Sequence, residues 1–128
     1  MYRQTQLAFS EVSDRTEFGY WYWATDSQNG TTYQSGDQDT VRNGFASEGA
    51  LPNTEDKDYR AVASNPPVFG LAVDLGEVDT APAGALFTIG LAQANAIQYA
   101  TKDGTVVLPA LWSSYFSNDL DAVCTALR

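Results

Sequence analysis

Short runs of aromatic and β-branched residues alternate with glycine-containing turns through the first hundred residues of the chain. Runs of this length and composition are typical of antiparallel strands. Strands are therefore predicted at residues 5–12, 18–25, 59–64, 68–75, 86–92, 97–99 and 105–108. In the first of these, Leu7 and Phe9 are expected to share one face.

The most distinctive run is the aromatic strand at residues 18–25, with the sequence FGYWYWAT. Side chains alternate along a strand, so Tyr20 and Tyr22 point one way and Trp21 and Trp23 the other. A strand that is apolar on both faces is usually sandwiched between two layers or lies under a partner.

Turn signals connect these strands. Asn29-Gly30 predicts a tight turn into residues 31–33, and Asp103-Gly104 predicts the turn of the last strand pair. The loop at 76–85 is expected to close a long hairpin between the strands at 68–75 and 86–92. Gly70 and Gly90 lie centrally in those two strands, which indicates a bulge or a close backbone approach.

Two segments interrupt the strand pattern. Residues 36–58 are polar and acidic, and are expected to form a long excursion with one short strand around Val41 to Phe45. After residue 108, Pro109 is expected in a first helical turn, and apolar residues follow at helical spacing. Ser117 is the predicted N-cap of a second short helix.

The predicted fold class is all-β, an antiparallel β-sandwich-like domain with one or two short C-terminal helices. A chain of 128 residues fits one domain, with a β-rich core at 1–108 and a helical tail at 109–128. No apolar run approaches the roughly 18 residues of a membrane span.

Composition excludes several function classes. The net charge is −9 and no Lys/Arg cluster exists, which disfavours nucleic acid and anionic membranes as partners. Histidine is absent, which removes the usual general base and zinc ligand. Cys124 is the only cysteine, so it is either a small buried residue or an exposed thiol. No catalytic residue and no cofactor are predicted.

Acidic residues provide the remaining candidates for chemistry. Weak calcium candidates are Asp37, Asp39, Asp56 and Asp58, although the usual calcium-loop spacing is missing. Glu11, Glu17, Asp26 and Asp74 border aromatic strands, but nothing in their spacing selects a hydrolytic pair. A Ser–Lys arrangement would need Lys57 or Lys102, and both lie in turn-like segments.

Two further features could bind or carry sugars. The aromatic residues Tyr20, Trp21, Tyr22, Trp23 and Tyr33 form either a ligand platform or a packed interface. Asn29-Gly30-Thr31 is an Asn-x-Thr sequon, which makes Asn29 a glycosylation candidate in a secreted protein.

Long segments of the chain resemble the fungal secreted glutaminase A family. The most specific strings are GYWYWATD (19–26) and PVFGLAVDLG (67–76). The resemblance extends over residues 2–26, 32–47, 53–62, 67–76, 86–99 and 108–117. It implies that these residues form the latter part of an N-terminal β-rich domain. It also implies that catalysis takes place in a helical part outside these residues.

The resemblance and the residues together leave three functions open. The first is a non-catalytic β-sandwich module of a secreted glutaminase, used for packing against a helical catalytic domain. The second is a free-standing secreted binding protein, lectin-like or immunomodulatory, with a carbohydrate or cell-surface ligand. The third is a hydrolase with a cryptic carboxylate site. An uncovered apolar sheet face also predicts a homodimer. Secretion is expected, with a signal peptide that these residues do not include.

Overall fold

Paired strands account for most of the regular structure in the computed structural model, which describes residues 1–26 and 29–125. The strands are β1 (Glu11–Val12), β2 (Arg15–Thr16), β3 (Tyr20–Thr25), β4 (Thr31–Asp37), β5 (Pro67–Val73), β6 (Phe87–Ala92), β7 (Asn95–Thr101) and β8 (Gly104–Pro109). The helices are α1 (Gln38–Glu48), a short 3₁₀ helix (Leu111–Ser114) and α2 (Asp119–Thr125).

The strands form four two-stranded sheets: β1 with β2, β3 with β6, β4 with β5, and β7 with β8. The pairs β1–β2, β4–β5 and β7–β8 are antiparallel. The predicted β-rich antiparallel class with short C-terminal helices is confirmed.

The chain divides into two compact units. The first consists of Met1–Ala24 and Thr88–Arg128, and the second of Thr25–Phe87. The two units are defined by compactness alone. The single domain over residues 1–128 stays a prediction.

The second unit is built from the β4–β5 sheet and α1. The register runs from Thr31 opposite Val73 to Asp37 opposite Pro67. Helix α1 starts directly where β4 ends and packs on this sheet. Its core is small and consists of the buried side chains Val41, Leu51 and Ala72, with the partly buried Val68 packed against them.

The predicted loop with a strand at Val41 to Phe45 is wrong, because α1 occupies this segment. Asp37 caps the helix, since its side chain accepts hydrogen bonds from the backbone N–H groups of Asp39 and Thr40. Gly49 ends it in a left-handed conformation with φ 69°, and its N–H donates to the Phe45 carbonyl. The two caps define a helix that the polar composition conceals.

The predicted strand at 59–64 and the predicted hairpin between 68–75 and 86–92 are also wrong. Residues 59–64 form a loop without strand pairing. The two strands exist, but β5 pairs with β4 and β6 pairs with β3. Strand pairing across a long connection depends on tertiary packing, which local turn signals do not report.

The two central glycines differ. A Cβ at Gly70 would lie 3.3 Å from Leu51 Cδ1 and 3.6 Å from Val41 Cγ1, which confirms the predicted close approach. At Gly90 a Cβ would meet no atom within 4 Å. Gly90 therefore does not mark a close contact.

The first unit begins with a small hairpin instead of the strand predicted at 5–12. Phe9 has a φ of 62°, which breaks an extended run, and only Glu11–Val12 is paired there. Ser13 and Asp14 both have positive φ and form the two-residue turn between β1 and β2. Phe9 instead packs on Phe18, with ring centroids 5.5 Å apart.

The C-terminal part of this unit agrees better with the elements that the sequence predicts. The hairpin of β7 and β8 turns at Asp103-Gly104 as predicted, and Thr101 pairs with Gly104. Pro109 ends β8 and is not in a helical turn, since the 3₁₀ helix starts at Leu111. The predicted Ser117 cap is wrong, because Asn118 Oδ1 accepts the hydrogen bond from the Asp121 N–H, 2.9 Å away.

Replacement of Gly49 with alanine is expected to destabilise the chain by about 1 kcal/mol, because a Cβ opposes the left-handed conformation. No atom lies within 4 Å of the added Cβ, so the loss comes from the backbone alone. Urea denaturation followed by circular dichroism measures it.

Gly84→Ala is the matched control, since this glycine also has nothing within 4 Å and is not among the positive-φ residues. Equal stability changes in the two variants would contradict the capping role of Gly49.

Candidate functional site

The aromatic strand β3 is largely exposed. Tyr20, Trp21 and Trp23 have exposed fractions of 42%, 45% and 41%. The ring of Tyr20 lies 5.4 Å from that of Tyr2, and the Trp21 backbone exchanges hydrogen bonds with Met1. The platform residues therefore remain accessible on the described surface, and their binding role stays a prediction.

Tyr22 differs from its neighbours because it is partly buried. Its hydroxyl donates a hydrogen bond to the carboxylate of Asp119 in α2. Burial, reinforced by this carboxylate, raises the pKa of Tyr22 to about 12. Tyr22 thus ties β3 to α2 and serves as a structural residue in this unit.

Tyr33, the last of the predicted platform residues, belongs to β4 in the second unit and is exposed. Its backbone N–H donates to Asn53 Oδ1, 2.9 Å away. Neighbouring bonds run from the Leu51 N–H to Thr32 Oγ1 and from the Asp56 N–H to Ser35 Oγ. These side chains hold residues 51–56 along β4.

Beyond that segment lies an open cleft of about 340 Å³, which we call the Arg60 cleft. Its lining includes three aspartates and one arginine. Its lining consists of Gln34, Ser35, Gly36, Asp37, Thr40, Asp56, Asp58, Arg60 and Asn65.

Arg60 organises the cleft, although the sequence analysis did not single it out. Its side chain is only 15% exposed. Nη1 donates to Asp56 Oδ2 at 2.7 Å and to the Asp58 carbonyl at 2.9 Å, while Nε donates to the Asn65 carbonyl at 2.8 Å. Asp56 and Arg60 are four residues apart, but they lie in a loop, where this spacing does not predict a contact.

Hydrogen bonds stabilise the ionised form of two carboxylates in this cleft. The pKa of Asp37 is lowered, mainly by the hydrogen bonds from Thr40. The pKa of Asp56 is lowered first by the Asp58 backbone N–H and then by Arg60. Both groups are therefore charged at neutral pH and act as hydrogen-bond acceptors, not as proton donors.

Three of the four weak calcium candidates lie together in the structure, and the fourth does not. Asp37, Asp56 and Asp58 line the Arg60 cleft, whereas Asp39 lies in the first turn of α1. The guanidinium of Arg60 stands against Asp56 and Asp58, where a cation would need to bind. Across residues 1–26 and 29–125, no group of three or more His, Cys, Asp or Glu is arranged to hold a metal ion.

One polar atom beside the cleft is unusual. Gln34 Oε1 is buried and accepts no hydrogen bond in the described structure. A Cβ on Gly44 of α1 would lie 4.0 Å from this oxygen. A buried acceptor without a donor costs free energy, which the surrounding packing of the fold must offset.

The carboxylates that border aromatic strands serve local structure. Glu17 accepts hydrogen bonds from Ser10 and Arg3, which lower its pKa. Asp26 Oδ1 accepts from the Leu86 N–H at 3.0 Å, and Asp74 Oδ1 from the Gly76 N–H at 2.8 Å. The Asp74 bond closes a turn, the Asp26 bond joins residues 60 apart in sequence, and none of these bonds brings two carboxylates together.

The remaining candidates lie at the surface. Cys124 is an exposed, free thiol in α2. Lys102 is 88% exposed and pairs with its neighbour Asp103. None of the helices in the part of the chain that is described has the length and apolar character needed to cross a membrane.

An accessible apolar surface belongs to β7 and β8, in which every residue is exposed. The register places Ile97 opposite Leu108 and Tyr99 opposite Val106, so these four side chains share one face. We call them the hairpin face. Ile89 and Leu91 of β6, which belongs to a different sheet, are also exposed.

Arg60→Met is expected to lower the melting temperature by several degrees, because it leaves Asp56 and two carbonyls without their donor. Lys102→Met is the control, since a fully exposed ion pair contributes little. Thermal unfolding at neutral pH compares the two variants.

The stability difference between wild type and Arg60→Met should depend on pH. A lowered pKa of Asp56 stabilises the fold above the ordinary carboxyl pKa of about 4, and the effect is lost as the pH falls through the lower value in the fold. The difference is therefore full at neutral pH and narrows below about pH 4. A difference that grows in acid would contradict this role of Arg60.

An alkaline titration should show one tyrosine that ionises near pH 12, and Tyr22→Phe should remove that step. Because folding raises this pKa from 10, the contribution of Tyr22 to stability is full below about pH 10 and is lost as the pH rises through 12. Absorbance of the tyrosinate follows the titration.

Asp119→Asn keeps Tyr22 but removes the carboxylate charge. The last ionisation step should then move to lower pH. An unchanged step in this variant would show that Asp119 does not act on Tyr22.

Comparisons with known proteins identify relatives of this chain. The family described as a domain of unknown function, DUF5127, matches residues 1–128. Glutaminase A of Aspergillus oryzae is 58% identical over 118 residues, which cover 91% of this chain and 17% of the relative. A protein named "Probable glutaminase" from Arthroderma benhamiae is 33% identical over 122 residues, or 89% of this chain and 14% of the relative.

The chain thus spans less than a fifth of the length of these curated relatives. No solved structure matches it. The match to glutaminase A confirms the resemblance found in the sequence. With a family match over its whole length, a β-rich fold and a close glutaminase relative, the chain belongs to the DUF5127 family and is a module related to fungal glutaminases.

Proposed function

We propose that this chain is a non-catalytic packing module of a glutaminase-like polypeptide, and that its hairpin face packs against another part of that polypeptide. The observation that carries the proposal is the exposure of Ile97, Tyr99, Val106 and Leu108 on one face. Burial of a large apolar side chain contributes about 1.5–3 kcal/mol, so such a face favours coverage.

The charge distribution supports packing at this face. The chain carries a net charge of −9, yet β7 and β8 contain no charged residue, and Lys102 and Asp103 lie in the turn between them. A partner surface can therefore approach without desolvating a charge. In the Arg60 cleft, the carboxylates of Asp37 and Asp56 are engaged in local hydrogen bonds.

The chemistry of the chain fits a structural role. The sequence has no histidine, and the candidate carboxylates Glu17, Asp26 and Asp74 accept hydrogen bonds from other groups of the fold. The relatives are named for glutaminase activity, and this chain corresponds to less than a fifth of their length. We assign that activity to the remainder of such a polypeptide, in a secreted enzyme.

A second candidate function rests on the exposure of Trp21 and Trp23, which lie two residues apart on β3. Residues at this spacing share one face of a strand, and indole rings in that position can stack on sugars. This observation favours a free-standing, lectin-like or immunomodulatory protein. That function does not require another part of a polypeptide to cover the hairpin face.

A chimera tests the packing module. The matching 118 residues of the Aspergillus oryzae enzyme are replaced by this chain, and the melting temperature is measured with Ile97→Asp and with Gln98→Asp. Ile97→Asp should lower it by several degrees because a charge enters a buried face, whereas Gln98→Asp, on the opposite face of β7, should not.

The isolated chain supplies the control. Ile97 is half-exposed there, so Ile97→Asp should leave its stability nearly unchanged. An Ile97→Asp chimera as stable as its parent sinks the proposal. Light scattering that finds a dimer of the 13.9 kDa chain, dissociated by Ile97→Asp, would assign the face to a second copy instead.

A further inference from the structure

The turn that precedes β4 carries a feature that the packing role does not use. It contains Asn29, Gly30 and Thr31, and Asn29 and Gly30 are exposed. We propose that Asn29 is the acceptor of an N-linked glycan, transferred from a lipid-linked oligosaccharide in a eukaryotic secretory pathway. Transfer requires asparagine, any residue except proline, and then serine or threonine.

The sequence offers this chemistry at one position. The other asparagines, at positions 43, 53, 65, 95 and 118, have no serine or threonine two residues later. Asn43-Gly44-Phe45 shares the Asn-Gly pair of the turn but lacks the hydroxyl. Asn43 is exposed on α1 and so provides an internal control.

The fold presents Asn29 at the end of the β4–β5 sheet that lies away from the start of α1. Gly30 has a φ of 71°, and its carbonyl accepts a hydrogen bond from the Asp74 N–H, 3.0 Å away. Across the turn, residues 74–76 are exposed. A bulky, solvated glycan fits at this end of the sheet without covering the buried cluster around Val41.

The transfer is balanced in atoms and electrons. The amide nitrogen Nδ2 of Asn29 forms a bond to the anomeric carbon of the first sugar. The bond from that carbon to the lipid diphosphate oxygen breaks, and the amide proton leaves with the diphosphate. No oxidant or reductant is needed.

A glycan on Asn29 also restricts the module. A bulky, hydrated group at this turn excludes protein from the surface around it. Any partner that packs on the second unit must therefore use another side of the β4–β5 sheet.

The test is secretion of the whole 128-residue chain from yeast behind a heterologous leader, followed by PNGase F. The wild type and Asn43→Gln should lose mass on digestion, and peptide mapping should find Asn29 converted to aspartate. Asn29→Gln and Thr31→Val should lose the entire shift, whereas Thr31→Ser should retain part of it.

A wild-type chain whose mass is unchanged by digestion overturns the proposal, as does a glycan mapped to another residue. If the chain is retained inside the cell, the same digestion of cell extracts shows whether it carries a glycan. If Thr31→Val misfolds, the mass of Asn29→Gln and the peptide map of the wild type still show whether Asn29 carries the glycan. The chimera experiment uses protein produced in bacteria, which carries no glycan. The packing proposal and the glycan proposal can therefore fail independently of each other.

Discussion

The close approach of α1 to the β4–β5 sheet depends on the missing side chains of Gly36 and Gly70. A Cβ at Gly36 would lie 3.3 Å from Val41, and one at Gly70 would lie 3.3 Å from Leu51. Without this approach the small buried cluster of the second unit could not close, because it has few other members. The Asp37 cap at the end of β4 and the bonds between β4 and residues 51–56 then join the neighbouring segments to the same sheet.

The sequence predicted well those elements that local interactions determine. Asp103-Gly104 specifies the β7–β8 turn, and the apolar run of β5 identifies a strand wherever its partner lies. Helix α1 was missed because it contains Gly44 and few apolar residues, although Asp37 and Gly49 were available as caps. The pairing of β4 with β5 spans a long connection, and no periodicity within either strand encodes it.

The candidate site shows the same limits. The aromatic residues of β3 were predicted as a group, but burial separates Tyr22, which binds Asp119, from its exposed neighbours. Asp56 was proposed from composition as a cation ligand, and the folded loop instead supplies Arg60 as its partner. Composition identifies which groups are charged, whereas the fold decides which charges meet.

The two-stranded sheets make nearly every described strand an edge strand. Strand β4 is covered on its outer side by the backbone and side-chain bonds to residues 51–56, and the Trp21 backbone of β3 is bonded to Met1. Open edges offer unpaired N–H and C=O groups to other chains, and a high net charge keeps like molecules apart. Because salt near 1 M shortens the range of that repulsion to about 3 Å, we expect the isolated module to associate more readily as ionic strength rises.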